Sequence, residues 1–396
     1  MPMQGRHEVQ SQQQGWPVSE GYDLDRQLRH IFAGAKVLVT GHTGFKGGWL
    51  ALWLHMLGAD VRGVALPPDP DRSLFASLDL ENLVEHRVAD IRDEAQYAAA
   101  TEGFAADLVI HMAAQSLVRP SYEDPLGTFG TNVMGTATVL EQVRRNPSAR
   151  GVIVVSSDKC YENNEWHWPY REVDPMGGAD PYSASKGCTE LVASSYRRSF
   201  FSSANGCQLA SVRAGNVFGG GDWSQDRLVP DIVRANLAGT PVIIRNPASV
   251  RPWQHVLEPL SGYLELGARL LGAEAGEFAE GWNFGPSADA FVQVKDLARG
   301  MQNAWGDDAA AIEFGQSADD PHEATMLTLD SSKARKLLAW SPRLTTDQAI
   351  DLTASWYRAF TQSGTDMRQF TLRQIETYAG SQKTEAPSQE GNIICA

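Results

Sequence analysis

Tyr182 and Lys186 stand four residues apart, so on a helix they share one face. A lysine ammonium beside a phenol favours the phenolate. A phenolate so placed can take the proton of a hydroxyl group while hydride leaves the same carbon. Upstream, the apolar run Val152 to Ser156 leads directly into Ser157-Asp158-Lys159. Ser157 can donate a hydrogen bond to the same substrate hydroxyl, and three polar groups meeting beside a nicotinamide make an alcohol-oxidation site. Tyrosine and lysine at this spacing are also common in ordinary helices, so the pair gains meaning from its place in the chain. Asp158 and Lys159 add an acid and a base, which oxidation alone does not need.

These residues require a scaffold that brings a nicotinamide to them, and its start is Lys36 to Leu57. Val37-Leu38-Val39-Thr40 reads as a short buried strand. Gly41-His42-Thr43-Gly44-Phe45-Lys46-Gly47 follows as a G-x-x-G-x-x-G turn, and Trp49, Leu50, Leu52, Trp53, Leu54 and Leu57 continue with helical spacing up to Gly58. Glycines let such a turn approach a pyrophosphate, whose charge sits at the helix N-terminus. Glycine-rich strand-to-helix turns also arise for purely structural reasons, and His42 could equally be a solvated turn residue. Further strands are predicted at Asp60–Ala65, Glu85–Ala89, Asp107–Met112 and Leu209–Arg213. Helices are predicted at 92–101, 126–143 and from Pro181 to about Phe201. Strands alternating with helices predict an α/β fold with a doubly wound parallel sheet of the Rossmann type. The second strand runs into Ala65-Leu66-Pro67-Pro68, so the acidic residue that usually favours NAD over NADP is missing there. The small residues Ala113 and Ala114 would let the backbone pass close to a flat cofactor.

The expected organisation is a polar, disordered extension over 1–30 and a dinucleotide-binding domain over 31–215, completed by 242–281. A smaller mixed α/β substrate domain takes 216–375, and a mobile tail 376–396. A net charge of −14 argues against nucleic-acid or anionic-membrane partners. No apolar run nears the roughly 20 residues of a membrane helix. Four cysteines without metal-ligand spacing point to reduced thiols in a cytoplasm and to no bound metal.

TGHTGFKG, HMAAQ, Asn132 and Y-S-A-S-K, in that order, resemble the extended short-chain dehydrogenase/reductase family over roughly Lys36 to Phe360. SSDKCYEN, YREVDPMGGADPYSASKGC and AGNVFGGGDW are similar to its nucleotide-sugar 4,6-dehydratase branch, and specifically to the enzymes of CDP-glucose. The resemblance implies NAD as cofactor and CDP-glucose as substrate. Tyr182 would take the O4 proton as C4 is oxidised, water would leave across C5 and C6, and hydride would return to C6. Ser157, Asp158, Lys159, Tyr182 and Lys186 would carry the chemistry. Many relatives have Asp-Glu where this chain has Asp158-Lys159, so a neutral amine would stand in for the carboxylate base. Lys159 could instead serve as a charge partner for Asp158 or Glu162. Cofactor contacts are expected from Gly41 to Gly47, Asp90, Ile91, Ala113, Ala114, Gln115, Asn132, Ser156, Tyr182 and Lys186. Substrate contacts are expected from Gln115, Ser116, Asn216, Arg227, Asn246 and Arg251, the two arginines near the diphosphate or, equally, in ordinary ion pairs. A homodimer or homotetramer would use the helices from Leu126 and Pro181. The alternatives are a dehydratase, epimerase or reductase of another nucleotide sugar, or a non-catalytic NAD(P)-sensing protein. The intact Tyr182-Lys186 pair argues against the sensor.

Overall fold

The computed structural model describes residues 24–381 apart from 147, 204–205, 288–289 and 316–325. Its frame is a seven-stranded parallel sheet. In chain order the first six strands are β1 (Lys36–Thr40), β2 (Asp60–Ala65), β3 (Glu85–Val88), β4 (Leu108–His111), β5 (Gly151–Val155) and β6 (Gln208–Arg213). Across the sheet the order is Gly281–Asn283, β6, β5, β4, β1, β2, β3. Side chains alternate between faces along a strand, and both faces are apolar here. Val37 and Val39 of β1, Leu108 and Ile110 of β4 and Ile153 of β5 enter one core with Trp49, Leu50 and Trp53. Leu38, Val109, Val152 and Val154 enter a second core with Val139, Leu140 and Ala193. That two-sided burial explains why these strands read as continuous apolar runs. The strand order reverses between β1 and β4, which opens a crevice at their C-terminal ends.

Several elements depart from expectation. Leu24–Phe32 is a helix, where extension was expected; Leu24, Leu28 and Phe32 are buried on one face. Burial of three such side chains stabilises by about 1.5–3 kcal/mol each, enough to order a short helix. The expected tail begins too early, because Met367–Gly380 is helical with Ile375 and Tyr378 buried. The rest of the expected extension and tail, 1–23 and 382–396, lies outside the described residues. Val242–Arg245, expected to help complete the dinucleotide domain, pairs in parallel with Ile312–Gly315 in a separate small sheet. Gly281–Asn283 supplies the seventh strand instead, beside β6. The helix expected over 126–143 is interrupted: Pro125–Phe129 and Gly135–Arg145 flank a π-turn, Gly130–Met134, that carries Asn132. Among the described residues no helix is long and apolar enough to cross a membrane, and no group of side chains could hold a metal.

Candidate active site

The glycine turn closes over the crevice. Gly41 has φ +81, and a Cβ there would lie 2.8 Å from Ala113 N, so only glycine lets β1 and the chain after β4 meet. A Cβ on Gly47 would lie 2.1 Å from Gly41 O, which binds helix Phe45–Met56 tightly to the turn. Gly44 differs. It caps that helix without a side-chain hydrogen bond, is exposed, and a Cβ there would meet only Gly41 O at 3.4 Å. The first N–H groups of the helix therefore lack a side-chain cap, and the space at Gly44 is open, a cradle suited to an anion. Thr43 Oγ1 donates to Leu66 O at 3.0 Å, tying the turn to the end of β2.

His42 takes no place in that cradle. Its ring is buried over Gly63, where a Cβ would lie 2.3 Å away, and its Nε2 sits 2.7 Å from His86 Nδ1. Burial and then the neighbouring His86 lower its pKa to about 3, so it is neutral and offers no charge to a phosphate. Lys46 donates to Tyr263 Oη, with Nζ 3.4 Å away. Burial, then Arg227 and Lys186, bring its pKa down to about 7, with Asp158 opposing.

Helix Pro181–Ser199 starts where Asp180 caps it and Pro181 fits the first position. Tyr182, Lys186 and Glu190 follow at four-residue steps along one face. Ser121 Oγ accepts from Tyr182 N at 3.2 Å, and Lys186 Nζ donates to Val155 O at 3.4 Å. Burial raises the Tyr182 phenol to about 12, opposed by a hydrogen bond with Ser157 and the charge of Arg227. Burial lowers Lys186 to about 8, opposed by Cys160 and Glu190. Each shift disfavours the charged form, and a further positive charge in the crevice would favour the phenolate.

Beyond β5 the chain makes a single 3-10 turn, Asp158–Cys160, capped by Ser157. Ser157 Oγ donates to Asp158 Oδ1 at 2.9 Å, and Asn216 Nδ2 donates to Asp158 Oδ2 at 3.4 Å. Gly215 presses on the same carboxylate; a Cβ there would lie 1.8 Å from Oδ2. Asn216 follows at φ +52, a conformation asparagine tolerates better than most residues. Lys159 is half-buried on the turn, and its Nζ makes no hydrogen bond or ion pair among the described residues. Ser156 Oγ is spent on Glu190.

The other expected residues lie nearby, each with partners within the chain. Gln115 uses its amide on Leu117 and Thr128. Asn132 accepts from Gln115 N at 2.9 Å and donates to Gln115 O at 2.9 Å and to Ser185 Oγ at 2.8 Å. It is thus a brace between the chain after β4 and the Tyr182 helix. Asp90 is held by Arg92 in a close ion pair at the end of β3, and Ile91 is buried against Gly135. Ala113 and Ala114 are half-buried beside the turn. Arg227, at the start of helix Leu228–Ala238, donates to Ser116 O at 3.2 Å. Asn246 turns the chain at φ +48, and Arg251 lies on strand Val250–Pro252, paired with Phe291–Gln293. Gln254, three residues on, donates to Gly215 O at 3.0 Å and so links that strand to the Asp158 cradle. Sequence reasoning missed Ser121, Tyr263, Glu190 and Arg213. Only Glu190 carried a signal, its four-residue step from Lys186.

The whole arrangement has counterparts. The family described as GDP-mannose 4,6 dehydratase matches residues 38–353. A CDP-glucose 4,6-dehydratase of Salmonella typhimurium is 49% identical over 354 residues, which cover 88% of this chain and 98% of the relative. A dTDP-glucose 4,6-dehydratase of Streptomyces antibioticus is 30% identical over 81% of this chain and 92% of its own. A dTDP-glucose 4,6-dehydratase structure from Streptomyces venezuelae, with NAD and TYD bound, superposes with a TM-score of 0.68 at 25% identity, covering 82% of this chain and 97% of that one. An epimerase structure from Methanothermobacter thermautotrophicus, at 22% identity and a TM-score of 0.73 over 85% of this chain and 95% of that one, shares the fold. With the family match spanning the doubly wound sheet and helix Pro181–Ser199, this chain belongs to the nucleotide-sugar 4,6-dehydratases.

Proposed function

We propose that the protein converts CDP-D-glucose to CDP-4-keto-6-deoxy-D-glucose and water, with NAD as a cofactor regenerated in each turnover. The 49% identity to a CDP-glucose 4,6-dehydratase along nearly its whole length carries the substrate assignment. The open cradle at Gly44 fits a pyrophosphate, because an anion there finds uncapped N–H groups and no obstructing side chain. Gly44, Phe45, Lys46, Ala113 and Ala114 would line that cofactor. NAD supplies the acceptor for the C4 hydride and the donor that returns it to C6.

Tyr182 takes the O4 proton, with Lys186 stabilising its phenolate and Ser157 bonding the same oxygen. The 4-ketone makes the C5 proton acidic. Lys159 takes that proton and gives it back to C5 when hydride arrives at C6, while Asp158 gives one to the departing C6 hydroxyl. With the Ser157 hydroxyl turned to O4, Asp158 is held for this by Asn216 and the close backbone of Gly215. Arg227 and Arg251 would flank the diphosphate, with Asn216, Asn246 and Ser116 nearby. The region after Asn216 serves mainly to bind substrate, and the sheet to bind cofactor.

The assembly is a homodimer or a pair of dimers. Leu126 is 84% exposed, Met134 63% and Leu191 61%; all three lie on the adjoining helices of 125–145 and 181–199, and a second copy would cover them. The described cysteines Cys160, Cys188 and Cys207 are free, in keeping with a cytoplasmic enzyme of deoxysugar synthesis. The test is incubation with CDP-glucose, dTDP-glucose, GDP-mannose and UDP-glucose, each with NAD or NADP, followed by mass spectrometry. Loss of water from CDP-glucose is expected. Loss from another sugar alone would move the substrate, and no loss from any would remove the enzyme assignment.

A further inference from the structure

Behind the catalytic turn lies a buried ion pair that the mechanism does not use. Arg213 on β6 grips Glu190 with both arms, Nε to Oε1 at 3.0 Å and Nη2 to Oε2 at 2.9 Å. Both side chains are about 95% buried. The remaining lone pairs of Glu190 are filled by Ser156 Oγ, at the end of β5, and Ser211 Oγ at 2.8 Å. Arg213 Nη1 continues to Tyr161 Oη and to Glu172 O. Tyr161 Oη in turn donates to Asn283 Oδ1 at 2.8 Å, and Asn283 Nδ2 donates to Tyr170 O at 2.8 Å. Glu190 and Arg213 together thus join Ser156, just before the Ser157–Cys160 turn, to Tyr161, just after it, and to both ends of the loop 161–172. Gly187, between Lys186 and Glu190, lets this turn settle on the helix, since a Cβ there would lie 2.9 Å from Gly177 O and 3.3 Å from Cys160 O.

We propose that Glu190, clamped by Arg213, is a positioning residue: it fixes the turn that carries Asp158 and Lys159, and it supplies the negative charge one helical turn from Lys186. This rests on the dehydratase reading above. A buried pair is weak evidence for stability, and a hydrophobic pair would fill the same space. The pair gains its use from what hangs on it. Asp158 and Lys159 must sit correctly relative to C5 and C6, and the residues on both sides of their turn are tied to Glu190 or Arg213. The groups facing Lys186 are Glu190 and Tyr182 on its own helix, Cys160 on the turn, Lys46 on helix Phe45–Met56 and His111 on β4. The groups facing Glu190 are Arg213 on β6, Arg197 on its own helix and Cys160. His111 is neutral through burial, its pKa lowered to about 3, and burial raises the Cys160 thiol. Arg213 and the serine hydroxyls oppose the effect of burial on Glu190, and Cys160 and Glu190 oppose the lowering that burial imposes on Lys186.

The test uses Glu190→Gln and Arg213→Lys in the full chain. Amide hydrogen exchange, read without cofactor or substrate, should rise in peptides spanning 157–172 and stay unchanged in β1 and β4. The alkaline limb of the kcat profile should move down by about one pH unit in Glu190→Gln and stay in place in Arg213→Lys, which keeps its charge. In both, water loss should slow by about tenfold to a hundredfold relative to C4 oxidation, so reduced cofactor builds up in a single turnover. A merely structural pair would raise exchange everywhere and leave the limb where it was. A folded Glu190→Gln with wild-type exchange and a wild-type limb overturns the proposal. If that variant does not fold, wild-type exchange and partition in Arg213→Lys overturn it equally. Exchange decides even where wild-type enzyme fails to dehydrate CDP-glucose, a failure that would count against the function instead.

Discussion

Gly44→Val separates the cofactor cradle from the fold. Gly44 sits at φ −82 and ψ 174, an extended backbone that valine adopts readily. Its new Cβ would touch only Gly41 O, at 3.4 Å, and its side chain would project into the exposed crevice. The folding cost is that of a poor helix cap, about 1 kcal/mol or less. A pyrophosphate seated on the helix N-terminus would meet the isopropyl group and retreat. Losing one or two charge-assisted hydrogen bonds costs about 1.5–3 kcal/mol each, so about 3 kcal/mol in all, or roughly a hundredfold in Kd. Calorimetric titration of NAD into cofactor-free enzyme measures this, and a thermal melt reports the fold. Gly47→Ala is the control with the opposite outcome, since its Cβ would strike Gly41 O at 2.1 Å and unsettle the fold itself. An NAD affinity for Gly44→Val within a few-fold of wild type would refute the cradle.

Four other outcomes are expected. Tyr182→Phe should abolish turnover and leave NAD affinity near wild type; turnover that survives would remove the phenol from the mechanism. Lys159→Ala should permit C4 oxidation and block water loss, visible as reduced cofactor accumulating in a single turnover; product without accumulation would point to another base. Gly215→Ala should slow water loss more than C4 oxidation, because its methyl group displaces the Asp158 carboxylate; equal slowing of both steps would contradict that role. Burial raises Glu258 to about 7, against the N–H groups of Arg343 and Leu344 and the Tyr378 hydroxyl. The folded chain then holds a proton between about pH 4.5 and 7 that the unfolded chain has released. Stability should fall as pH rises through that window, by on the order of 3 kcal/mol, and a denaturant series with Glu258→Gln should flatten that fall; equal pH dependence in both proteins would exclude Glu258.

What could be read from the sequence was local. The glycine turn, the Tyr182–Lys186 step and the Ser157–Lys159 run each lie within a few residues, where spacing alone sets geometry. The alternation that buries both faces of β1, β4 and β5 was legible for the same reason. Pairing across the chain was not: nothing in Val242–Ile244 says that its partner is Ile312–Phe314 rather than the central sheet. Leu24, Leu28 and Phe32 form a clear helical stripe, but the polar residues before them hid it. The π-turn at Gly130–Met134 left no mark on the apolar pattern of its helix, although it is what turns Asn132 to bridge Gln115 and Ser185. His42 stands within a phosphate-binding turn by position, and only the packing over Gly63 reveals that its ring is committed elsewhere. The Arg213–Glu190 pair joins a strand to a helix across 23 positions, beyond the reach of any spacing rule.

The helix Leu24–Phe32 packs on helices Leu257–Leu270 and Met367–Gly380. It is made well before either of them. At ribosomal speed the last of these partners follows by some tens of seconds. Throughout that interval Leu24, Leu28 and Phe32 have only part of their seat, while the central sheet assembles without them. The same geometry couples the two helices: a truncation that removes Met367–Gly380 takes away part of the seat of Leu24–Phe32 as well, although hundreds of residues separate them in the chain.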